Sequence, residues 1–361
     1  MHNPSTHKYH TLDGVRGVAA LFVLTRHAGP LFSPWVFAHS YLAVDLFFAL
    51  SGFVLATAYD EKLRIGTLSV RTFMAIRLVR LWPLFALASL IGFLAWVAHW
   101  AAHGNSDWAL ARIVTTFALS LGMLPSPFGQ TQDLPALFPL NSPSWSLFLE
   151  ILANACYALF RSRLTSRMLV AIMAINALAL ACCSITFGGL TGGPLWADAF
   201  VGIPRVLYSF SAGVLLYRVR KARDLPRKEN LNLVSVLFLV VVALFLGVRP
   251  PRGADACYDI FAGIAAVPII LLVGSSIEPG HRLSRLYAFL GLCSYGVYIL
   301  QVPISGLVLK ACHAMGIGVS SGAPLTGLTF AVLLILASKF LDRFFDQPIR
   351  SLMRRVLGLS A

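Results

Sequence analysis

Several ionisable side chains of this sequence lie inside or beside apolar runs, where such groups are costly. In the segment LDGVRGVAALFVLTRHAG, Arg16 and His27 are eleven residues apart, close to three full helical turns. On a helix they therefore share one face, about 16 Å apart along the axis. A guanidinium can bind phosphate and an imidazole can act as a general base. Each also has a structural explanation, Arg16 as an interfacial cation and His27 as a satisfied interior histidine.

The segment AVDLFFALSGFVL brings a carboxylate and a Ser-Gly pair into a second apolar run. Asp45 needs a cationic or hydrogen-bonding partner there, because an unpaired carboxylate is unfavourable in hydrocarbon. Arg26 or His27, at a similar depth in the preceding helix, is a candidate partner. Ser51 and Gly52 on their own indicate close helix packing.

Two further segments carry charged groups at the ends of apolar runs. In RLVRLWP, Arg77 and Arg80 share a helical face, and Pro83 is expected to open the next span. Positive-inside bias alone explains arginines here, and the functional alternative is a clamp for a phosphorylated ligand. In NSPSWSLFLEIL, Glu150 falls about 7 Å below the outer boundary by helix rise. It could stay near the interface or meet His27 in the bundle.

The elements that position these groups must be membrane helices. The 361 residues are 58% hydrophobic and 12% charged, whereas a soluble domain has about 25% charged residues. This composition excludes a water-soluble globule. Apolar runs of roughly 17 to 25 residues recur, each long enough to cross about 30 Å of hydrocarbon as a helix. The predicted fold is therefore an all-α integral membrane bundle.

Polar breaks divide the chain into about ten predicted spans. Basic residues cluster after the second, fourth, sixth, eighth and tenth spans, so the positive-inside rule places both termini in the cytoplasm. Residues 113–124 are too short to span and are predicted to form a re-entrant or surface segment, followed by an outward Pro/Ser-rich loop. The ten spans are predicted at residues 15–31, 42–58, 82–100, 146–160, 168–186, 200–217, 231–248, 257–277, 286–309 and 325–340.

Charge distribution and cysteine spacing argue against some classes of function and site. The net charge of +14 is spread over short loops rather than one stripe, so topology explains it better than nucleic acid. The six cysteines show no CxxC pairing, and neither a disulfide framework nor a metal site is predicted. No internal repeat, linker or cleavable signal peptide is evident. We therefore expect a single membrane domain over residues 1–361.

Together these motifs resemble the membrane-bound acyltransferase-3 family, whose members O-acylate surface polysaccharides, lipid-linked sugars, Nod factors and macrolides. The resemblance covers nearly the whole chain. Two departures are Gln301, where the family commonly has His, and Ile151, where it often has a second acidic residue. The matching residues are Arg16 and His27 (Arg-x10-His), residues 44–53 (VD-x-FF-x-x-SGF), Arg77 and Arg80 (RxxR), Trp145, Ser146, Leu147 and Glu150 (WSL-x-x-E), and Ser294, Tyr295 and Tyr298 (SY-x-x-Y).

The resemblance implies an enzyme of the bacterial inner membrane that moves an acyl group, most commonly acetyl, to a sugar hydroxyl. Larger relatives append a periplasmic hydrolase-like domain, which we do not expect here. The donor would be cytoplasmic acyl-CoA, with its phosphates bound by Arg16, Arg77 and Arg80. The other partners would be membrane lipid and a carbohydrate acceptor.

The remaining roles follow from the same hypothesis. His27 would act as general base on the acceptor hydroxyl, or would carry the acyl group as a transient intermediate. Glu150 or Asp45 would orient the imidazole. Candidate substrate-binding residues, among them hydrogen-bond donors to the acceptor or the oxyanion, are Ser51, Trp145, Ser146, Tyr295 and Gln301.

A proton-coupled secondary transporter or exporter is the alternative from another class. In it, His27, Asp45 and Glu150 would form a proton relay. No pair of Gly/Pro-broken helices marks two corresponding halves of the chain, which argues against this alternative. An inert scaffold would leave the intramembrane charges unexplained. The sequence leaves open the acyl group, the acceptor and the oligomeric state.

Overall fold

The computed structural model describes residues 9–103, 109–128 and 136–359. The polar N-terminal segment and part of the predicted Pro/Ser-rich loop lie outside these ranges. The described chain is helical and contains no β-strand, which confirms the predicted all-α class. Its helices are α1 (His10–His27), α2 (Gly29–Phe32), α3 (Ala43–Arg64), α4 (Val70–His103), α5 (Leu110–Leu121), α6 (Ser144–Leu159), α7 (Ser166–Phe187), α8 (Ala199–Ala222), α9 (Asn232–Gly247), α10 (Asp255–Ile260), α11 (Val267–Gly274), α12 (His281–Ala314), α13 (Leu325–Leu341) and α14 (Gln347–Val356).

Two π-helical turns join pairs of these helices into longer continuous helices. Phe261–Ala266 joins α10 to α11, and Asp342–Asp346 joins α13 to α14. A π turn adds a residue to the helical repeat and changes the direction of the side chains that follow it. The second of these turns lies against the cavity described below.

In the described ranges, seven helical segments are long and apolar enough to cross a membrane. They contain six of the ten predicted spans and overlap a seventh, 257–277, which was predicted to end three residues beyond Gly274. The other three predicted spans are also helical, as α1, α6 and α9, but α6 and α9 have only 16 residues each. The count of ten crossings and the orientation stay predictions. The seven segments are Ala38–Arg64, Val70–Ala102, Ser166–Phe187, Ala199–Ala222, Asp255–Gly274, His281–Ala314 and Leu325–Val356.

Some predicted boundaries are wrong. Helix α4 begins at Val70 and has Pro83 in its interior, so this proline does not open the span. The predicted span began at residue 82, after the two arginines. Arg77 is buried against an acidic partner, so the helix includes both arginines. Helix α1 ends at His27. The region predicted as too short to span contains α5, a helix of 12 residues that lies against α4.

Glycines allow the helices around the cavity to approach closely. A Cβ at Gly52 of α3 would lie 2.2 Å from the carbonyl oxygen of Phe210, and one at Gly213 of α8 would lie 2.1 Å from that of Ala49. The backbones of α3 and α8 are therefore in direct contact, as is typical of small residues in membrane helices. Helix α1 packs along α12 in the same way, with Gly17 against Leu290 and Gly291 against Asp13.

Candidate functional site

A cavity of about 410 Å³ opens between α1, α3, α4, α6, α12 and the chain that follows α13. Its wall combines apolar side chains with arginines, carboxylates and hydroxyls. Seven of the eleven predicted site residues line it, namely Arg16, Ser51, Arg77, Arg80, Ser146, Glu150 and Tyr295. Motifs far apart in the sequence thus meet at one place in the fold.

Glu150 forms the centre of the polar wall. Its Oε1 accepts hydrogen bonds from Arg77 Nη2 at 2.9 Å and from Ser51 Oγ at 2.5 Å. The Arg77 and Glu150 side chains are 9% and 13% exposed, so their ion pair is largely shielded from water. The predicted pairing of Glu150 with His27 is wrong, because the extended α4 supplies a charged partner at the level of Glu150.

The arginines of the cavity differ in how they are paired. Arg16 donates from Nη2 to Asp13 at 2.8 Å and to the Gly291 carbonyl at 3.0 Å. Arg80 lies on the same wall with an exposed side chain. Within the described ranges, Arg80 makes no hydrogen bond or ion pair. It is thus a cation with its donors available to an anionic ligand.

Hydroxyl groups line the part of the cavity between α6 and α12. Ser146 Oγ lies 2.6 Å from the hydroxyl of Tyr298, and the Pro143 carbonyl oxygen lies 3.1 Å from the first and 3.2 Å from the second. One hydroxyl donates to the other, and the second donates to the carbonyl. Tyr295 donates its hydroxyl to the carbonyl of Leu81. These bonds fix the three hydroxyls at the cavity surface, where they can contact a polar ligand.

Asp45 does not reach this cavity, and its predicted pairing with Arg26 or His27 is wrong. Arg205 of α8 binds it instead, with Nη2 at 2.7 Å from Oδ2, because the close contact of α3 and α8 brings the two side chains together. Arg26 donates to the carbonyl of Ala38 and stacks on Tyr41.

Arg205 was missed by the sequence analysis although it lies in the apolar run AFVGIPRVLYSF, the same signal that drew attention to Asp45. It is fully buried and also donates to the carbonyls of Tyr41 and Gly192. Trp145 stacks on its guanidinium at 5.5 Å, outside the cavity lining. Asp45 and Trp145 therefore belong to a buried ionic cluster behind the cavity.

His27 and Gln301 also lie outside the cavity lining. Gly14 contacts Tyr287 and Gly17 contacts Leu290, so α1 and α12 run parallel with the same offset in both pairs. The same offset, continued to the end of α1, corresponds to Leu300 for His27, the residue before Gln301. Gln301 donates to the Tyr298 carbonyl, and its Oε1 is buried with no hydrogen-bond partner in the described part of the chain.

Comparison with known proteins identifies the family. Residues 9–341 match the acyltransferase-3 family, which is described as an acyltransferase domain. The chain belongs to this family. The match includes all eleven predicted site residues and confirms the resemblance inferred from the motifs.

Relatives of this acyltransferase carry consistent names. An O-acetyl transferase of Shigella phage Sf6 is 24% identical over 85% of this chain and 88% of its own length. A candidate membrane-bound transacylase of Komagataeibacter xylinus is 26% identical over 81% and 72%. Protein 2 in the picA locus of Rhizobium radiobacter is 44% identical over 47% of this chain and 91% of its own length. No solved structure matches. The protein is a multi-pass membrane O-acyltransferase.

The acyltransferase cavity has further polar residues that the sequence analysis did not single out as functional. Asp342, Asp346 and Arg350 line it beside Arg80, and Asp13 lines it beside Arg16. The spacing of Asp342, Asp346 and Arg350 at successive intervals of four residues was the available signal, since such residues share a helical face. Among the described residues, no group of three His, Cys, Asp or Glu side chains could hold a metal ion.

Proposed function

We propose that this membrane O-acyltransferase takes an acyl group, most commonly acetyl, from acyl-CoA and transfers it to a hydroxyl of a carbohydrate. The observation that carries the proposal is a cavity in which Arg80 lies without a partner in the described chain, next to the Arg77–Glu150 pair. The name of the phage relative, an O-acetyl transferase, supports acetyl as the acyl group.

The donor would enter from the cytoplasmic side of the bacterial inner membrane. Arg16, Arg77 and Arg80 would bind its phosphates, because guanidinium groups form strong charge-assisted hydrogen bonds with phosphate oxygens. Glu150 would hold Arg77 in place for this contact. The thioester would then lie toward Ser146 and Tyr295. Their hydroxyls would turn away from their present protein partners to donate to the oxygen on which charge develops.

His27, which lies outside the cavity lining, would act as the general base. It would accept the proton of the acceptor hydroxyl while the hydroxyl oxygen attacks the thioester carbon and the thiolate of coenzyme A leaves. Transient acylation of the imidazole is the other possible role. Because Glu150 and Asp45 are bound to Arg77 and Arg205, neither is available to orient His27. Gln301 on the neighbouring helix α12, with its unpartnered buried Oε1, would take that place.

The test is a transfer assay in membrane vesicles that follows labelled acetyl from acetyl-CoA onto extracted glycans. We expect label with the wild type and loss of label with His27→Ala and with Arg80→Ala, at equal membrane abundance. Label that persists in His27→Ala would contradict the proposed base. If folded wild type gives no label with a range of donors and glycans, the proposed activity is wrong and proton-coupled transport becomes the better hypothesis.

A further inference from the structure

The part of the chain that follows the family match contributes to the cavity. The match ends at residue 341, where α13 ends. The π turn Asp342–Asp346 and α14 come next, and three of their side chains, Asp342, Asp346 and Arg350, lie on the cavity wall. None of them has a role in the function proposed above.

The two aspartates hold Arg350 from one side. Arg350 Nη2 donates to Asp342 Oδ1 at 3.0 Å and forms an ion pair with Asp346 Oδ2. Both carboxylates are buried, with 5% and 2% of the residue exposed. Gln347 donates to the second oxygen of Asp342 at 2.8 Å and so fixes that carboxylate. The Arg350 guanidinium is therefore positioned rather than free to rotate.

The pairing of Arg350 matches that of two other cavity arginines. Arg16, Arg77 and Arg350 each contact their carboxylate through Nη2 alone. In the part of the chain that the structure describes, Nη1 of all three makes no hydrogen bond and is not enclosed by protein. Arg80 keeps all its donors.

This common geometry makes the wall suitable for a ligand with several phosphates. All four carboxylates of the cavity, Asp13, Glu150, Asp342 and Asp346, are engaged by Nη2 atoms. Of the remaining donors, Nε of Arg16, Arg77 and Arg350 is buried with no partner in the described chain, so the Nη1 groups and Arg80 are the donors that a ligand can reach. An arginine that is already held by carboxylates loses little side-chain entropy when it binds an anion.

We propose that Arg350 is a fourth binding residue for the phosphates of acyl-CoA, and that Asp342 and Asp346 are its positioning residues. The proposal rests on the proposed function, because it assumes an acyl-CoA donor. The proposal adds a contact to acyl-CoA from the segment that follows the family match.

The test compares Arg350→Gln with Arg354→Gln in the purified protein. Both variants remove one positive charge from α14, but Arg354 is exposed and does not line the cavity. We expect Arg350→Gln to raise the Kd for coenzyme A and the KM for acetyl-CoA about tenfold, the usual scale for one charge-assisted contact, with a smaller change in kcat. Arg354→Gln should bind like the wild type.

An acyl donor without phosphates distinguishes a loss of phosphate binding from an effect of the substitution on the fold. Acetyl-pantetheine carries the same thioester, so wild type and Arg350→Gln should use it equally well. If Arg350→Gln does not accumulate, because it leaves two buried carboxylates unpaired, Arg350→Lys keeps the charge and loses the planar fork. It should then show a smaller increase in the same Kd. Asp346→Asn should raise the Kd in the wild type but add little in the Arg350→Gln background.

Failure of the role proposed for Arg350 gives a different result from failure of the proposed acyl transfer. Unchanged coenzyme A binding in Arg350→Gln, with binding lost in Arg80→Ala, would overturn the role of Arg350 and leave the donor site intact. An equal loss with acetyl-pantetheine would also overturn it, since the residue would then act on the fold. Folded wild type that does not bind coenzyme A would contradict the donor, and with it the role of Arg350.

Discussion

Glu150 connects α6 to α3 and α4 through one carboxylate oxygen, which accepts from Ser51 and Arg77. Glu150→Gln removes the charge that compensates Arg77. Breaking a buried pair on one side costs about 3–5 kcal/mol, so we expect lower thermal stability together with loss of acyl transfer. Thermal unfolding in detergent and the transfer assay measure the two effects separately.

The double variant Arg77→Met with Glu150→Leu is the control for this prediction. It replaces both charges by apolar groups of similar size and should restore the stability, because no uncompensated charge remains. It should still be inactive, because the donor contact is absent. Activity at the wild-type level in the double variant would contradict a role of the pair in transfer.

Asp45 and Arg205 should behave differently from the Arg77–Glu150 pair, although they form the more buried pair. Asp45→Asn leaves the Arg205 guanidinium without its counter-ion and should reduce stability by about 3–5 kcal/mol. The double variant Asp45→Leu with Arg205→Met should recover membrane abundance and should keep transfer within roughly tenfold of the wild type, since neither group lines the cavity. A stable but inactive double variant would show that Asp45 takes part in the chemistry.

The sequence predicted which residues lie together at the cavity better than it predicted their partners. Charged residues in or beside apolar runs drew attention to Arg16, Arg77 and Glu150, all of which line the cavity. The partner of Asp45 could not be predicted, because helical periodicity gives the face of a helix but not the neighbour that covers it. Arg205 lies 160 positions away from Asp45 along the chain.

At the scale of the helices, the contact between α3 and α8 depends on glycine. Gly52→Ala would put a Cβ 2.2 Å from the Phe210 carbonyl oxygen, a backbone atom that cannot move without shifting α8. We expect a loss of roughly 1–3 kcal/mol, typical of overpacking, and lower activity because Ser51 is the adjacent residue. Thermal unfolding measures the first effect and acyl transfer the second.

Gly306→Ala is the matched control for Gly52→Ala. Gly306 also lies inside a membrane helix, α12, but nothing lies within 4 Å of a Cβ added there. Alanine is favoured over glycine in a helix by up to about 1 kcal/mol, so this variant should be as stable as the wild type or more stable. Equal stability of the two alanine variants would contradict the close contact.

Helix boundaries were predicted less well than the helical type of the elements. Apolar runs located the helices, but α4 extends through Arg77 and α13 continues through Asp342. Spans were ended at charged residues because isolated charges are unfavourable in lipid. Inside the bundle these charges have ionic partners or face the cavity, so the helices extend through them. Because the last span was predicted to end at residue 340, Asp342, Asp346 and Arg350 were not included in the predicted site.

At the scale of the whole molecule, the start of α1 is fixed to a turn almost 270 residues later in the chain. The backbone N–H of His10 donates to Glu278 Oε2, and the hydroxyl of Thr11 donates to the carbonyl of Ile277. Glu278 lies in the turn between two membrane segments and is 7% exposed. This turn therefore holds the helix that carries Arg16 and His27.

Stability should depend on pH through this contact. Burial raises the pKa of Glu278 to about 7 from 4.5, while the His10 N–H and Arg227 act in the opposite direction. The folded state therefore holds the proton up to neutral pH, whereas the unfolded chain releases it near 4.5. This contribution to stability is fully present below pH 4.5 and is lost as the pH rises through 7. One pKa unit is worth about 1.4 kcal/mol, so the loss is on the order of 3 kcal/mol.

Glu278→Gln keeps an oxygen that can accept the His10 N–H and removes the titration. We expect its unfolding temperature to stay nearly constant between pH 5 and 8, while that of the wild type falls. Glu229→Gln, which changes an exposed carboxylate nearby, should follow the wild type. Thermal unfolding in detergent across this pH range makes the comparison. A wild-type slope that survives in Glu278→Gln would assign the pH dependence to another group and would remove the turn as its source.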